Sequence, residues 1–178
     1  LGAAVQEQGD LAGAEDLLRR ALDILQRVAP ESESVAWTLN NLAEVARSRG
    51  DLDRAEVDHR RALEIRERIA RDSLSVAASL VNLGLVATGR GELGQADQRY
   101  RRALEIFQQR APSSPTVPTI LNNLASLAVS RGNQEEADAF VELALDSSRR
   151  LAPGSLTEAR CLGNHGLRAG QRGDLETA

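Results

Sequence analysis

Asparagine recurs at Asn41, Asn82, Asn123 and Asn164, each 41 residues from the next. Its carboxamide offers two N–H donors and one acceptor oxygen, the complement of a peptide unit. Inside a helix asparagine is a poor residue, because the side chain competes for backbone hydrogen bonds. Four copies at one position need a compensating contact. Either the amides meet the main chain of an extended ligand, or each bonds an adjacent helix or loop and ties repeats together. Asn40 and Asn122 double the amide in two places, whereas Val81 and Gly163 stand at the equivalent positions elsewhere.

The remaining chemistry-bearing residues point away from catalysis. His59 and His165 have no partner at metal-ligand spacing, and His59 shares its column with Leu18, Tyr100 and Val141, which marks a packing position. Cys161 lies in no motif that would mark an activated thiolate. No phosphate loop, nucleophile elbow or dinucleotide fingerprint occurs, and Gly163-Asn164-His165-Gly166 is a variant of the repeated Asn122-Asn123-Leu124-Ala125. No catalytic residue, metal or cofactor is expected, so the chain reads as a non-enzyme. The pairs Arg19-Arg20, Arg60-Arg61 and Arg101-Arg102 follow acids by four residues, at Glu15 and Asp16, Glu56 and Asp97. That spacing makes a solvated helix face rather than a basic patch.

The elements that must carry these residues follow from the same period. Glycine falls at Gly9, Gly50, Gly91, Gly132 and Gly173, and alanine at Ala14, Ala55, Ala96, Ala137 and Ala178, again 41 residues apart. A fixed period of this length marks a solenoid of stacked supersecondary units. Between Val76 and Thr88 the apolar residues Val76, Leu80, Leu83, Val86 and Ala87 keep helical spacing. Gly89 and Gly91 are expected to interrupt that helix, Gly91 in a left-handed turn, and Leu93, Ala96, Tyr100, Ala103, Leu104 and Phe107 begin a second. Loops at Ala29-Pro30, Ala111-Pro112 and Ala152-Pro153 end the unit, with Ala70-Arg71 standing in for them once. The Ser34, Ser75, Thr116 and Thr157 column is expected to cap the first helix, with the Ser32 column as the competing position. The expectation is an all-α, right-handed solenoid of helix-turn-helix repeats: a partial repeat over 1–29, repeats over 30–70, 71–111 and 112–152, and a partial repeat over 153–178.

This pattern resembles the tetratricopeptide repeat. Small residues fill three columns: Ala43, Gly84, Ala125 and Gly166; Ala55, Ala96, Ala137 and Ala178; Ala21, Ala62, Ala103 and Ala144. Large positions are held by Leu39, Leu80, Leu121 and Leu162 and by Leu42, Leu83 and Leu124, with His165 breaking the last column. Leu-Asn-Asn-Leu-Ala at 39–43 and 121–125 and Arg-Arg-Ala-Leu-Glu-Ile at 60–65 and 101–106 are similar to kinesin light chain repeats. Arg-Leu-Ala-Pro-Gly-Ser-Leu at 150–156 resembles bacterial arrays that accompany a caspase-like (CHAT) peptidase or a nucleotide-binding signalling domain. In such superhelices the first helix of each pair lines a concave groove, and asparagines there contact bound peptides. The resemblance therefore implies a groove holding the asparagine column with Asn40, Asn122, Trp37, Glu44, Arg47, Ser126, Ser130, Arg160 and Gln171. Trp37 would either anchor an apolar ligand side chain or cover the preceding repeat. A groove that clamps a C-terminal carboxylate needs cations at several of these positions, and here they are mostly neutral.

Composition limits the partners. The formal net charge is −4, which disfavours nucleic acid. All 22 basic residues are arginine, a bias expected of a GC-rich bacterial genome. One cysteine fits a reducing cytoplasm, and no apolar run is long enough to span a membrane. Leu1 and Ala178 both fall inside a repeat, so a piece of a longer chain is expected, whose end faces could stack on further copies. Two functions follow. The first is a protein-interaction module that binds an extended peptide or partner loop, as the sensor or recruiting arm of a bacterial signalling or defence protein. The second is a scaffold, self-associating or autoinhibitory, with no free peptide ligand.

Overall fold

The structure is a computed structural model that describes residues 11–151 and 153–172. Gly9, Gly173 and Ala178 of the repeating columns, and Ala152 of the last loop, lie outside the described residues. Among the described residues there are eight helices and no strand: α1 (Leu11–Val28), α2 (Glu33–Ser48), α3 (Leu52–Ile69), α4 (Leu74–Gly89), α5 (Leu93–Arg110), α6 (Thr116–Ser130), α7 (Gln134–Leu151) and α8 (Leu156–Arg172). The helices α1, α3, α5 and α7 start 41 residues apart.

The turn that joins α2 to α3 recurs between α4 and α5 and between α6 and α7. Gly50, Gly91 and Gly132 adopt φ of 80°, 74° and 76°, which only glycine reaches without a Cβ penalty. The residue after each glycine donates back to a carbonyl five residues earlier, as Asp51 N does to Ala46 O and Glu92 N to Ala87 O, both at 2.9 Å. This is a Schellman closure that satisfies the orphan carbonyls of the helix end.

The N-caps correct one expectation. Ser32 and Ser73 cap α2 and α4, their hydroxyls accepting from Val35 N and Val76 N at 3.3 Å, and Ser155 accepts from Glu158 N at 3.2 Å. The Ser34 column lies inside the helix instead. A cap must have extended backbone and reach the N–H three residues on, and Ser32 and Ser73 meet both conditions. At α6 the cap residue is Pro115, with no side-chain cap bond.

The chain divides into two compact units, Leu1–Glu92 and Leu93–Ala178. In the first, α1, α2, α3 and α4 pack consecutively. Val35, Ala36 and Leu39 of α2 meet Ala62 and Ile65 of α3 and Leu22 and Leu25 of α1. Ala43 and Ala46 meet Ala55 and Val86, joining α2, α3 and α4. In the second unit α5 to α8 pack consecutively, and α6 also touches α8. The alanine columns explain how so few aromatics suffice: Ala14, Ala55, Ala96 and Ala137 are all fully buried, as are Ala62, Ala103 and Ala144. A methyl at each crossing lets backbones approach, and dispersion between closely packed helices replaces aromatic bulk.

Candidate functional site

Helical periodicity sorts each first helix into a buried and an exposed face. On α2, Leu39, Leu42 and Ala43 are buried, while Ser34, Trp37, Asn41, Glu44 and Ser48 share the other side at spacings of three and four. Equivalent faces carry Ala78, Asn82 and Leu85 on α4, Thr119, Asn123, Ser126 and Ser130 on α6, and Arg160, Asn164 and Leu167 on α8.

The asparagines divide into distinct situations. In the first unit Asn82 Nδ2 donates to Asn40 Oδ1 at 2.7 Å, tying α4 to α2. In the second unit Asn164 Nδ2 donates to Asn122 Oδ1 at 3.0 Å, tying α8 to α6. Asn41 Nδ2 donates to the carbonyl of Trp37 in its own helix, at 2.8 Å. Asn123 is half-buried and makes no side-chain hydrogen bond among the described residues. The doubled positions thus act as acceptors for their neighbours. Asn122 is buried, and its amide also donates to Cys161 Sγ at 3.1 Å. It therefore holds Asn164 and has no surface of its own to offer a ligand, a correction to its placement in the groove.

Trp37 is 52% exposed. With Ala21, Leu25, Glu33, Ser34 and Thr38 it lines a cleft of about 490 Å³ between α1 and α2. Seven residues along α2, Glu44 accepts from Arg47 Nε at 3.1 Å and Nη2 at 2.7 Å. Behind it His59, fully buried, brings Nε2 to 3.3 Å from Glu44 Oε1. The His59 and Arg47 contacts outweigh partial burial and hold the Glu44 carboxyl at a pKa of about 2. Glu44 is therefore ionised at any ordinary pH. Ser126 and Ser130 donate to the carbonyls four residues back, at 3.1 and 3.0 Å. Arg160 is exposed and donates to Thr119 Oγ1 at 2.9 Å. The side chain of Gln171 lies outside the described residues.

The arginine pairs do what their spacing implied, with an addition. Arg19 reaches Glu15 at 2.5 Å and Arg101 reaches Asp97 at 2.9 Å, and Arg60 pairs with Glu56. Each of these acids also receives an arginine from the end of the following first helix: Arg49 on Glu15, Arg90 on Glu56 at 2.8 Å, Arg131 on Asp97 at 3.3 Å. Arg49, Arg90 and Arg131 stand 41 residues apart, so the clasp was readable as a charge column. Arg66 was hidden, because its column otherwise holds Leu25, Phe107 and Ser148. It is buried, bonded to Glu33 at 2.9 Å and to buried Ser79 at 2.8 Å.

No group of three His, Cys, Asp or Glu among the described residues could hold a metal ion, and no described helix is long and apolar enough to cross a membrane. Paired helices with small residues at each crossing and one face of each first helix left open define a helical-repeat protein of the kind that presents a surface to a partner. Family models for the tetratricopeptide repeat match residues 1–68, 34–109 and 119–153. The chain belongs to the tetratricopeptide repeat family.

Solved structures agree. BtubC (BKLC) from P. vanneervenii is 27% identical, with a TM-score of 0.89 over 100% of this chain and 72% of that one. A putative kinesin light chain of Podospora anserina with nearly identical TPR-like repeats is 18% identical, with a TM-score of 0.83 over 98% of this chain and 86% of that one. A Rap protein complexed with competence and sporulation factor is 17% identical, with a TM-score of 0.79 over 99% of this chain and 48% of that one. The last two likenesses concern the fold alone. No curated protein matches the chain.

Proposed function

We propose that the chain is a protein-interaction module whose open first-helix faces bind an extended peptide or a partner loop, acting by binding rather than catalysis. The observation that carries this reading is the state of Asn123. It occupies a helix position where asparagine is disfavoured, and it has no hydrogen bond among the described residues to offset that cost. Asn41, with its oxygen still free to accept, and exposed Trp37 present similar chemistry on α2. The Rap protein solved with competence and sporulation factor supports the reading to the extent that a protein of this fold is seen with a bound factor. In the full protein we place the module in the cytoplasm, as the sensor or recruiting arm of a bacterial signalling or defence protein.

A second reading has its own support. The Asn82–Asn40 and Asn164–Asn122 bonds tie neighbouring helices together, as a scaffold with no free ligand would use them. Panning a random peptide display library on the chain separates the two. Selected peptides should weaken at least tenfold on Trp37→Ala or Ser126→Arg while the melting temperature holds. Peptides that bind both variants like wild type would remove the open-face reading and leave the scaffold.

A further inference from the structure

His59 is the one histidine in a column of Leu18, Tyr100 and Val141. All four are buried, so bulk alone does not account for an imidazole there. Neither ring nitrogen has a well-aligned hydrogen-bond partner. The polar contact the ring makes is Nε2 to Glu44 Oε1 at 3.3 Å, a close approach short of a linear bond. A buried polar ring left this way needs an explanation.

The neighbouring elements leave Glu44 as the group it addresses. On α2 the charged neighbours are Glu44 and, beyond it, Arg47. On α3 itself Asp58 adjoins His59 in sequence, its carboxyl pushed up by burial, with Arg54 opposing that shift. No residue of α4 carries a titratable side chain. Glu44 is held from two sides: Arg47 grips Oε2 along the surface, and His59 approaches Oε1 from the interior.

We propose that His59 is a positioning residue: its Nε2 edge, 3.3 Å from Oε1, holds the Glu44 carboxylate in one orientation on the open face of α2. This rests on the reading that the face receives a ligand, and it names the chemistry on offer there. Glu44 Oε2 already accepts twice from Arg47, so the acceptor site on offer is at Oε1, and it takes an N–H donor from the partner, an ammonium, guanidinium or backbone amide. Trp37, two helical turns away on the same face, takes an apolar group.

The test is nuclear magnetic resonance on the whole chain. Carbon detection follows the Glu44 carboxyl through an acid titration in wild type, His59→Leu, His59→Val and His59→Gln. Leucine and valine fit the column and lack a donor, so the Glu44 midpoint should rise from about 2 toward 4.5. Glutamine, whose amide nitrogen can stand in for Nε2, should restore much of the depression. An unchanged midpoint in a folded leucine or valine variant overturns the assignment. Wild type supplies a second readout independent of any variant: nitrogen shifts must show a proton on His59 Nε2, and a proton on Nδ1 alone would overturn it. Binding of the display-selected peptides to Glu44→Gln is read separately. Wild-type affinity there would remove Glu44 from the ligand face and leave the His59 assignment intact.

Discussion

The Arg66–Ser79 contact makes a sharp prediction, because the repeat supplies its own control. Arg66 is only 7% exposed and donates to the fully buried Ser79 hydroxyl at 2.8 Å. Forty-one residues on, the same two positions hold Phe107 and Ile120, both buried. Arg66→Phe alone leaves the Ser79 hydroxyl unpaired in an apolar setting, a cost of about 1–3 kcal/mol. Glu33, which loses its partner too, is half exposed and returns to water cheaply. Ser79→Ile alone removes an acceptor from a buried guanidinium and forces added volume beside it, costing about 2–4 kcal/mol. Together they install the apolar pair, and replacing a buried polar pair by well-packed hydrophobes is often neutral or stabilising. Urea denaturation of the four proteins gives the cycle. The double variant should lie within about 1 kcal/mol of wild type, so the coupling energy should equal nearly the sum of the two single losses, about 3–7 kcal/mol. Additive losses would mean that the two positions are not packed as the register implies.

Other outcomes follow from the same structure. The Glu44 carboxyl has a folded pKa of about 2 against 4.5 free, so its contribution is present above pH 4.5 and lost as pH falls toward 2. Wild type should lose about 3 kcal/mol more than Glu44→Gln between pH 5 and 2, read as the difference in urea stability. Arg90→Ala, which releases Asp53, Glu56 and Glu92, should cost about 0.5–1 kcal/mol at low ionic strength, and the loss should shrink in 1 M salt. Ser73→Ala should cost about 1 kcal/mol in thermal denaturation through the lost cap of α4, whereas Ser75→Ala should cost a few tenths at most.

What the sequence made legible were the features that recur. The turn glycines, the alanine crossings and the helix pairs announce themselves because each repeat must solve the same packing problem, so one physical requirement is written several times. Ser32 and Ser34 recur equally well, and periodicity alone could not choose between them; backbone geometry at the cap did. The asparagine column shows the opposite case. Its period is perfect, yet the four amides do not share one role, because Asn82 and Asn164 each meet an amide one position earlier in the preceding repeat. Asn82 and Asn164 find Asn40 and Asn122 as acceptors, whereas Asn41 turns to a carbonyl of its own helix. A column read alone suggests a uniform ladder, whereas reading it with its neighbour separates amides that tie helices from the amide left open. Arg66 is the one charged residue of its column and His59 the one imidazole of its own, and a single departure carries no period to betray it. These polar insertions recruit partners from other helices, Glu33 and Ser79 for one and Glu44 for the other. The repeat therefore specifies the frame, and the exceptions to it carry what is particular to this chain, including the charge that α2 sets out on its open face.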